Sequence, residues 1–308
     1  MTWLAGLELE HPFMNGAGIC KTLKDVRQLA RSCVAAVVVG SITVNERAGN
    51  PGETYWTCPN YSLNSLGLPN PGLSYYTETL PEMAKIVHDA GKVLIVSTAG
   101  FDVCEYVQLA MEAGRCGADL IELNLGCPNV WNDRRQKRIA CFDLAYTGRL
   151  CREVAEGLHT LAGAAVTAVG FGVKISPFTD PFELGRLAQA LKELAEESPT
   201  FRFVTATNTF PNAFALDQAG KPRIDMGFGG LSGPAMKPIA LGHVKQLREL
   251  LPERINLIGV GGVASGRDAA DYLAAGATGV QATTAYWNSR SGPGALADIL
   301  SGLSTALA

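Results

Sequence analysis

The chain has 308 residues, 47% of them hydrophobic and 18% charged, and a net charge of −3. That is enough to bury the core of one α/β barrel, which needs roughly 250 residues, and the balance offers no electrostatic footprint for nucleic acid. Met1–Glu10 lacks the cationic flank and apolar centre of a secretory signal, and no apolar run approaches the roughly 18 residues of a membrane span, so a cytoplasmic protein engaging neither membrane nor nucleic acid is expected.

Short apolar runs predicted as strands alternate with helical patterns. Phe13–Gly18 leads to a helix over Leu23–Ser32, and Ala35–Ile42 leads to a long stretch, Thr43–Gly91, rich in Gly, Pro and Asn. After it, Val93–Ala99 is followed by Glu105–Cys116, Leu120–Gly126 by Arg149–Leu161, and Gly172–Ser176 by Phe182–Glu197. Phe203–Asn208 precedes Ile239–Leu251, Asn256–Gly262 precedes Ser265–Ala275, and Gly279–Ala285 precedes Gly294–Leu303. Eight strands apolar on both faces are what a closed parallel barrel requires. A doubly wound sheet would place its Gly-rich fingerprint after the first strand, whereas the Gly-rich loops here come late. The sequence therefore predicts the α/β class and a (β/α)8 TIM barrel, as a single domain over 1–308. Thr43–Gly91 is expected to form loops and a small antiparallel excursion over the barrel mouth.

The eight cysteines contain no C-x-x-C pair, which argues against zinc ribbons, iron–sulfur clusters and a disulfide framework. One of them, Cys127, stands in Cys127-Pro128-Asn129-Val130 at the C-terminal end of the Leu120–Gly126 strand, with Asn124 three residues ahead. A thiol there can act as nucleophile or base, and flanking amides can hydrogen-bond a planar polar ring. A small buried hydrophobe beside a turn is the plainer alternative for a cysteine.

Late in the chain, Gly259-Val260-Gly261-Gly262-Val263 ends the seventh strand and Ser265-Gly266-Arg267-Asp268 opens a helix, while Gln281-Ala282-Thr283-Thr284 ends the eighth strand. In barrels these two loops, with a helix N-terminus, often bind phosphate. The loop Gly227–Gly233 could close over the same group, and Lys174, in an apolar strand, would put a cation in the mouth.

Together these segments resemble the dihydroorotate dehydrogenases, specifically the soluble, homodimeric class 1A branch. The resemblance runs through Met14–Gly18, Gly49-Asn50-Pro51, Asn64-Ser65-Leu66-Gly67-Leu68-Pro69-Asn70, Asn124–Val130, Gly172-Val173-Lys174, Asn208-Thr209, Lys237-Pro238, Gly261-Gly262 and Gly276-Ala277-Thr278. It implies FMN at the barrel mouth and a dihydropyrimidine stacked on it, oxidised with a soluble acceptor such as fumarate. It further implies that Cys127 is the base and that Asn64, Asn124, Asn129 and Asn208 hold the ring's amide edges. Leu66, Gly67, Leu68 and Thr209 complete the substrate pocket. Ala17, Gly18, Ser41, Lys174, Gly230, Gly261, Gly262, Thr283 and Thr284 belong to FMN.

Two segments depart from the family. Class 1A chains carry a lysine at the end of the second strand, where this sequence has Gly40-Ser41. The loop Trp131–Arg138 carries four cations, Arg134, Arg135, Lys137 and Arg138, where the family has a shorter Pro-Gly-Lys-Pro type segment. Either that loop folds down as a lid over the substrate carboxylate, or the substrate is another cyclic amide or enone without a carboxylate; a solvated surface run is the bland reading. If glycine leaves space at 40, lysine restored there should improve orotate binding. A flavin-binding protein without catalysis is disfavoured by Cys127 with all four amides. A dihydrouridine synthase should bring an RNA-binding domain and basic surface, both missing here.

Overall fold

In the computed structural model, which describes residues 1–132, 135–162 and 169–307, eight parallel strands form a closed barrel with helices between them. They are β1 (Phe13–Asn15), β2 (Ala36–Ile42), β3 (Val93–Thr98), β4 (Leu120–Asn124), β5 (Gly170–Ile175), β6 (Phe201–Ala206), β7 (Asn256–Val260) and β8 (Gly279–Ala282). Each pairs with its sequence neighbour from β2 to β8, and β8 pairs with β1, Gln281 opposite Met14. The β1–β2 seam is closed by one backbone bond, from the Ala35 N–H to the Phe13 carbonyl at 3.0 Å, and by a side chain. Buried Asn15 accepts from the Val38 N–H at 3.0 Å and donates to the Val38 carbonyl at 2.8 Å, taking the place of ladder bonds that three-residue β1 is too short to supply.

All eight predicted strands are present, with ends trimmed by a few residues; Gly16–Gly18 and Thr283–Ala285, for example, lie outside the strands. Their sequence is apolar throughout because both faces are buried. Val37 and Val39 pack outward under the helices, while Ala36 and Val38 face the barrel interior with Met14, Ile95, Leu120, Phe203 and Ile258. An unanticipated hairpin, Thr2–Leu4 paired with Leu7–Leu9, turns through Ala5 and Gly6 at φ 53° and 85° and inserts Leu4, Ala5 and Leu9 into that interior cluster. Positive φ at both central residues is the two-residue turn whose twist matches the strands.

The seven predicted helices are all found, as Leu23–Ala30, Val103–Arg115, Leu144–Ala162, Pro181–Glu197, Lys237–Leu250, Gly266–Ala274 and Pro293–Leu307. Thr43–Gly91 needs correction. It holds a 17-residue helix, Leu73–Asp89, that buries Leu73, Tyr76, Leu80, Met83, Ala84 and Val87 along one face. It begins at Gly72 without a side-chain cap and carries Pro81 in its interior. Both features read as breaks in a sequence, and packing of the apolar stripe overrides them. The antiparallel excursion is also real, a four-stranded sheet in the order 210–213, 229–232, 62–64, 55–57. Among the described residues no helix is long and apolar enough to cross a membrane.

Candidate active site

A cavity of about 750 Å³ opens at the C-terminal ends of the strands, where loops and the antiparallel sheet meet. Its wall takes in Cys127 with Asn64, Leu66, Gly67, Leu68, Asn124, Asn129, Asn208 and Thr209, and also Ala17, Gly18, Ser41, Lys174, Gly261, Gly262, Thr283 and Thr284. Of the residues singled out in the sequence, Gly230 stands apart from this lining. It pairs with Asn64 across the antiparallel sheet, and a Cβ on it would lie 1.9 Å from the Thr209 hydroxyl. Ser232 and Gly233 line the cavity from that segment instead.

The amides form two linked pairs. Asn129 donates to the Asn64 carbonyl oxygen at 2.6 Å, and Asn208 donates to that of Asn124 at 3.0 Å. Asn124 in turn donates to Ser41 Oγ at 2.8 Å, and Ser41 Oγ meets Ser97 Oγ at 2.9 Å. The Thr209 N–H holds the Asn208 oxygen at 2.8 Å. Each amide has two N–H donors and two oxygen lone pairs, so these bonds orient the groups and leave capacity for a ligand.

Cys127 is half-buried between this cavity and a pocket of about 20 Å³ lined by Phe101, Tyr106 and Lys137 among others. Burial pushes its thiol above the ordinary range, against the opposing pull of the Asn129 N–H and the cations Lys137, Arg47 and Lys21. Lys137 donates to the Gly100 carbonyl at 2.8 Å and sits 4.5 Å over the Phe101 ring. Arg138 is exposed and paired with Asp143 at 3.0 Å. A lid of four cations over the large cavity is therefore not formed by these two: Lys137 approaches the thiol from the small pocket and Arg138 faces a surface carboxylate. Arg134 and the Arg135 side chain lie outside the described residues.

Beneath the cavity a buried polar layer was missed by sequence reasoning. Glu122 is fully buried, accepting from Thr205 Oγ1 at 2.8 Å and Gln281 Nε2 at 3.3 Å. Lys174 donates to Gln281 Oε1 at 3.1 Å and lies 3.9 Å from Glu122 Oε1, which has no hydrogen-bond partner. The strand register explains the cluster. Glu122 opposes Gly172, and Lys174 stands between Asn124 and Thr205, so Lys174 and Thr205 share one level and Glu122 lies two residues below it on the neighbouring strand, on the same inward face. Because Glu122 is the counter-charge of a nearly dry ammonium, Glu122→Gln should cost roughly 3 kcal/mol, read as a lower denaturant midpoint.

The late loops offer backbone donors. Among the described residues, the N–H groups of Gly261, Gly262, Thr283 and Thr284 donate to no protein acceptor. The helix Gly266–Ala274 does not add its N-terminus: Asp268 already accepts from the Ala264 N–H and Ser265 Oγ, and pairs with Lys237 at 2.6 Å.

Gly40 leaves no vacancy for a longer residue. Its φ is 115°, and a Cβ there would lie 2.3 Å from the Ser97 carbonyl oxygen. The idea that lysine could be restored at this position is corrected accordingly. Gly40 instead clasps the loop after β1, accepting from the Gly18 N–H at 2.7 Å and donating to the Cys20 carbonyl at 2.8 Å. The next residue of that loop, Lys21, lines the large cavity.

Comparison with known proteins gives the family. The family model described as "Dihydroorotate dehydrogenase" matches residues 1–307. A protein of Trypanosoma cruzi named "Dihydroorotate dehydrogenase (fumarate)" is 36% identical over 297 residues, 92% of this chain and 85% of its own length. Proteins of the same name from Trypanosoma brucei brucei and Saccharomyces cerevisiae are 32% and 33% identical, over 92% and 89% of this chain and 86% and 83% of theirs. A match over the full barrel, with the thiol and four amides of its mouth in one cavity, places the conclusion beyond fold alone: this chain belongs to the dihydroorotate dehydrogenase family.

Proposed function

We propose that the protein oxidises dihydroorotate to orotate with FMN as its flavin, as a cytoplasmic homodimer that returns electrons to fumarate. The family is flavin-dependent, and the curated relatives carry fumarate in their names. The observation that carries the reading is the meeting of the Cys127 thiol with two linked Asn pairs in one cavity.

The cavity suits the cofactor. Its volume suits a flavin mononucleotide and a small ring together. The unpaired amides of Gly261, Gly262, Thr283 and Thr284 suit a phosphate, with Ala17, Gly18 and Ser41 lining the same cavity. Lys174, tied to Glu122 and Gln281, would stabilise negative charge on the ring. When bound, the flavin would supply the acceptor for the hydride at C6 of the substrate and the carrier for its two electrons. Cys127, as thiolate, takes the proton from C5. Asn64, Asn124, Asn129 and Asn208 read the alternating N–H and C=O groups of the cyclic ureide, a pattern that a shape-only pocket cannot select. Leu66, Gly67, Leu68 and Thr209 complete that wall, and Gly230 supports it through Asn64.

Gly40, which cannot accept a longer side chain, favours a second reading in which the ligand is an uncharged cyclic amide or enone. An anaerobic titration separates the two. Dihydroorotate should bleach the flavin absorbance stoichiometrically, while an uncharged dihydropyrimidine should not. Bleaching by the uncharged ring alone selects the second reading.

A further inference from the structure

The described residues that line the large cavity include two cations, Lys21 and Lys174, and no carboxylate. Lys174 is engaged on the floor by Gln281 and Glu122. Lys21 stands on the loop after β1, and its ammonium has no carboxylate partner among the described residues. One of its three N–H groups is donated to the Pro69 carbonyl at 2.5 Å, which leaves two for a ligand. Its backbone is fixed on both sides: the N–H donates to Asp25 Oδ2 at 3.0 Å and the carbonyl accepts from Tyr76 Oη at 2.9 Å. The Pro69 anchor sets the ammonium beside Leu66-Gly67-Leu68, whose three successive N–H groups donate to no protein atom among the described residues.

We propose that Lys21, together with the amides of Leu66–Leu68, recognises the carboxylate of the substrate, so that this chain reads an anionic dihydropyrimidine from its first loop. The inference rests on the dihydroorotate reading above and deepens it. A carboxylate entering a partly dry cavity needs a charge and several donors, and this corner supplies both. Burial holds the Lys21 ammonium down to about 8; an anion seated against it restores the charged form, so the site is completed by its ligand. Gly40 is part of the same device: its backbone clasps the Lys21 loop, while the Ser97 carbonyl fills the space that a side chain at 40 would need.

The test uses the flavin-loaded protein and two probes, orotate and its uncharged methyl ester, each titrated against the visible absorbance of the flavin. Lys21→Met should weaken orotate by roughly 10- to 100-fold and leave the ester within about twofold. Lys21→Gln, which can still donate to the Pro69 carbonyl, should show the same discrimination and controls for collapse of the loop. Unchanged orotate binding in both variants overturns the proposal while leaving the proposed function standing. Equal weakening of both probes, or loss of flavin from both variants, also overturns it, because Lys21 would then be scaffolding. If neither probe perturbs the flavin of the unsubstituted protein and dihydroorotate does not bleach it, the proposed function and this inference fall together.

Discussion

Cys127→Ala should lose substrate-driven flavin reduction by roughly three orders of magnitude while keeping its flavin, since the thiol lines the cavity and its contact with the Asn129 N–H lies on the substrate side of the site. Cys127→Ser should keep a slow residual rate. The pH dependence has a definite sign. The base form is the thiolate, an ordinary thiol titrates near ~8.5, and burial raises Cys127 above its ordinary range. The reductive rate should therefore climb with pH through neutrality and into the alkaline range. It should bend as Lys21, lowered by burial to about 8, and Lys137, also lowered by burial, lose the charges that favour the thiolate. Anaerobic stopped-flow from about pH 6 to 10 measures this. A Cys127→Ala protein that bleaches at the parental rate removes the cysteine from the chemistry.

The second large effect is expected at Gly40, and it runs against simple transfer of a family residue. Gly40→Lys should destabilise by roughly 3 kcal/mol or more, because any Cβ meets the Ser97 carbonyl and the backbone sits at φ 115°. It should weaken orotate binding as well, since the displaced backbone holds the loop that ends in Lys21. Gly40→Ala should show most of the same loss, which separates backbone strain from side-chain charge. Thermal unfolding and orotate titration read both. A stable Gly40→Lys protein with tighter orotate binding would contradict the geometry.

Much of the architecture was legible because parallel strands buried on both faces have an unmistakable signature. Ala35–Ile42 is apolar at every position but Gly40 and Ser41, and no amphipathic alternation competes with it. The four Asn residues and Cys127 were legible because local motifs carry them. What escaped depends on distance or on packing. Nothing in Leu120–Asn124 says that Glu122 will meet a lysine two strand levels up on the next strand. The Leu73–Asp89 helix is hidden by Pro81 and an uncapped start. Gly40 reads as a missing side chain, yet in three dimensions its place is filled by the Ser97 carbonyl. Lys21 gains a definite place only in three dimensions, where the Pro69 carbonyl fixes where its ammonium stands.

The pairing of β1 with β8, and the insertion of the first hairpin beneath the barrel, also determine when this protein can become itself during synthesis. Met14 has its ladder partner in Gln281, and the Ala5 carbonyl accepts from Arg202 at 3.0 Å. A growing chain can zip β2 through β6 side by side, but it must carry an unpaired β1 and an exposed Leu4 and Leu9 until the last strand leaves the ribosome. Such long-range closure is slow and prone to association of incomplete chains. The Asn15–Val38 bonds offer a provisional remedy, since they join β1 to β2 as soon as the first forty residues are free, and so keep the open edge of the nascent sheet occupied while its partner is still being made.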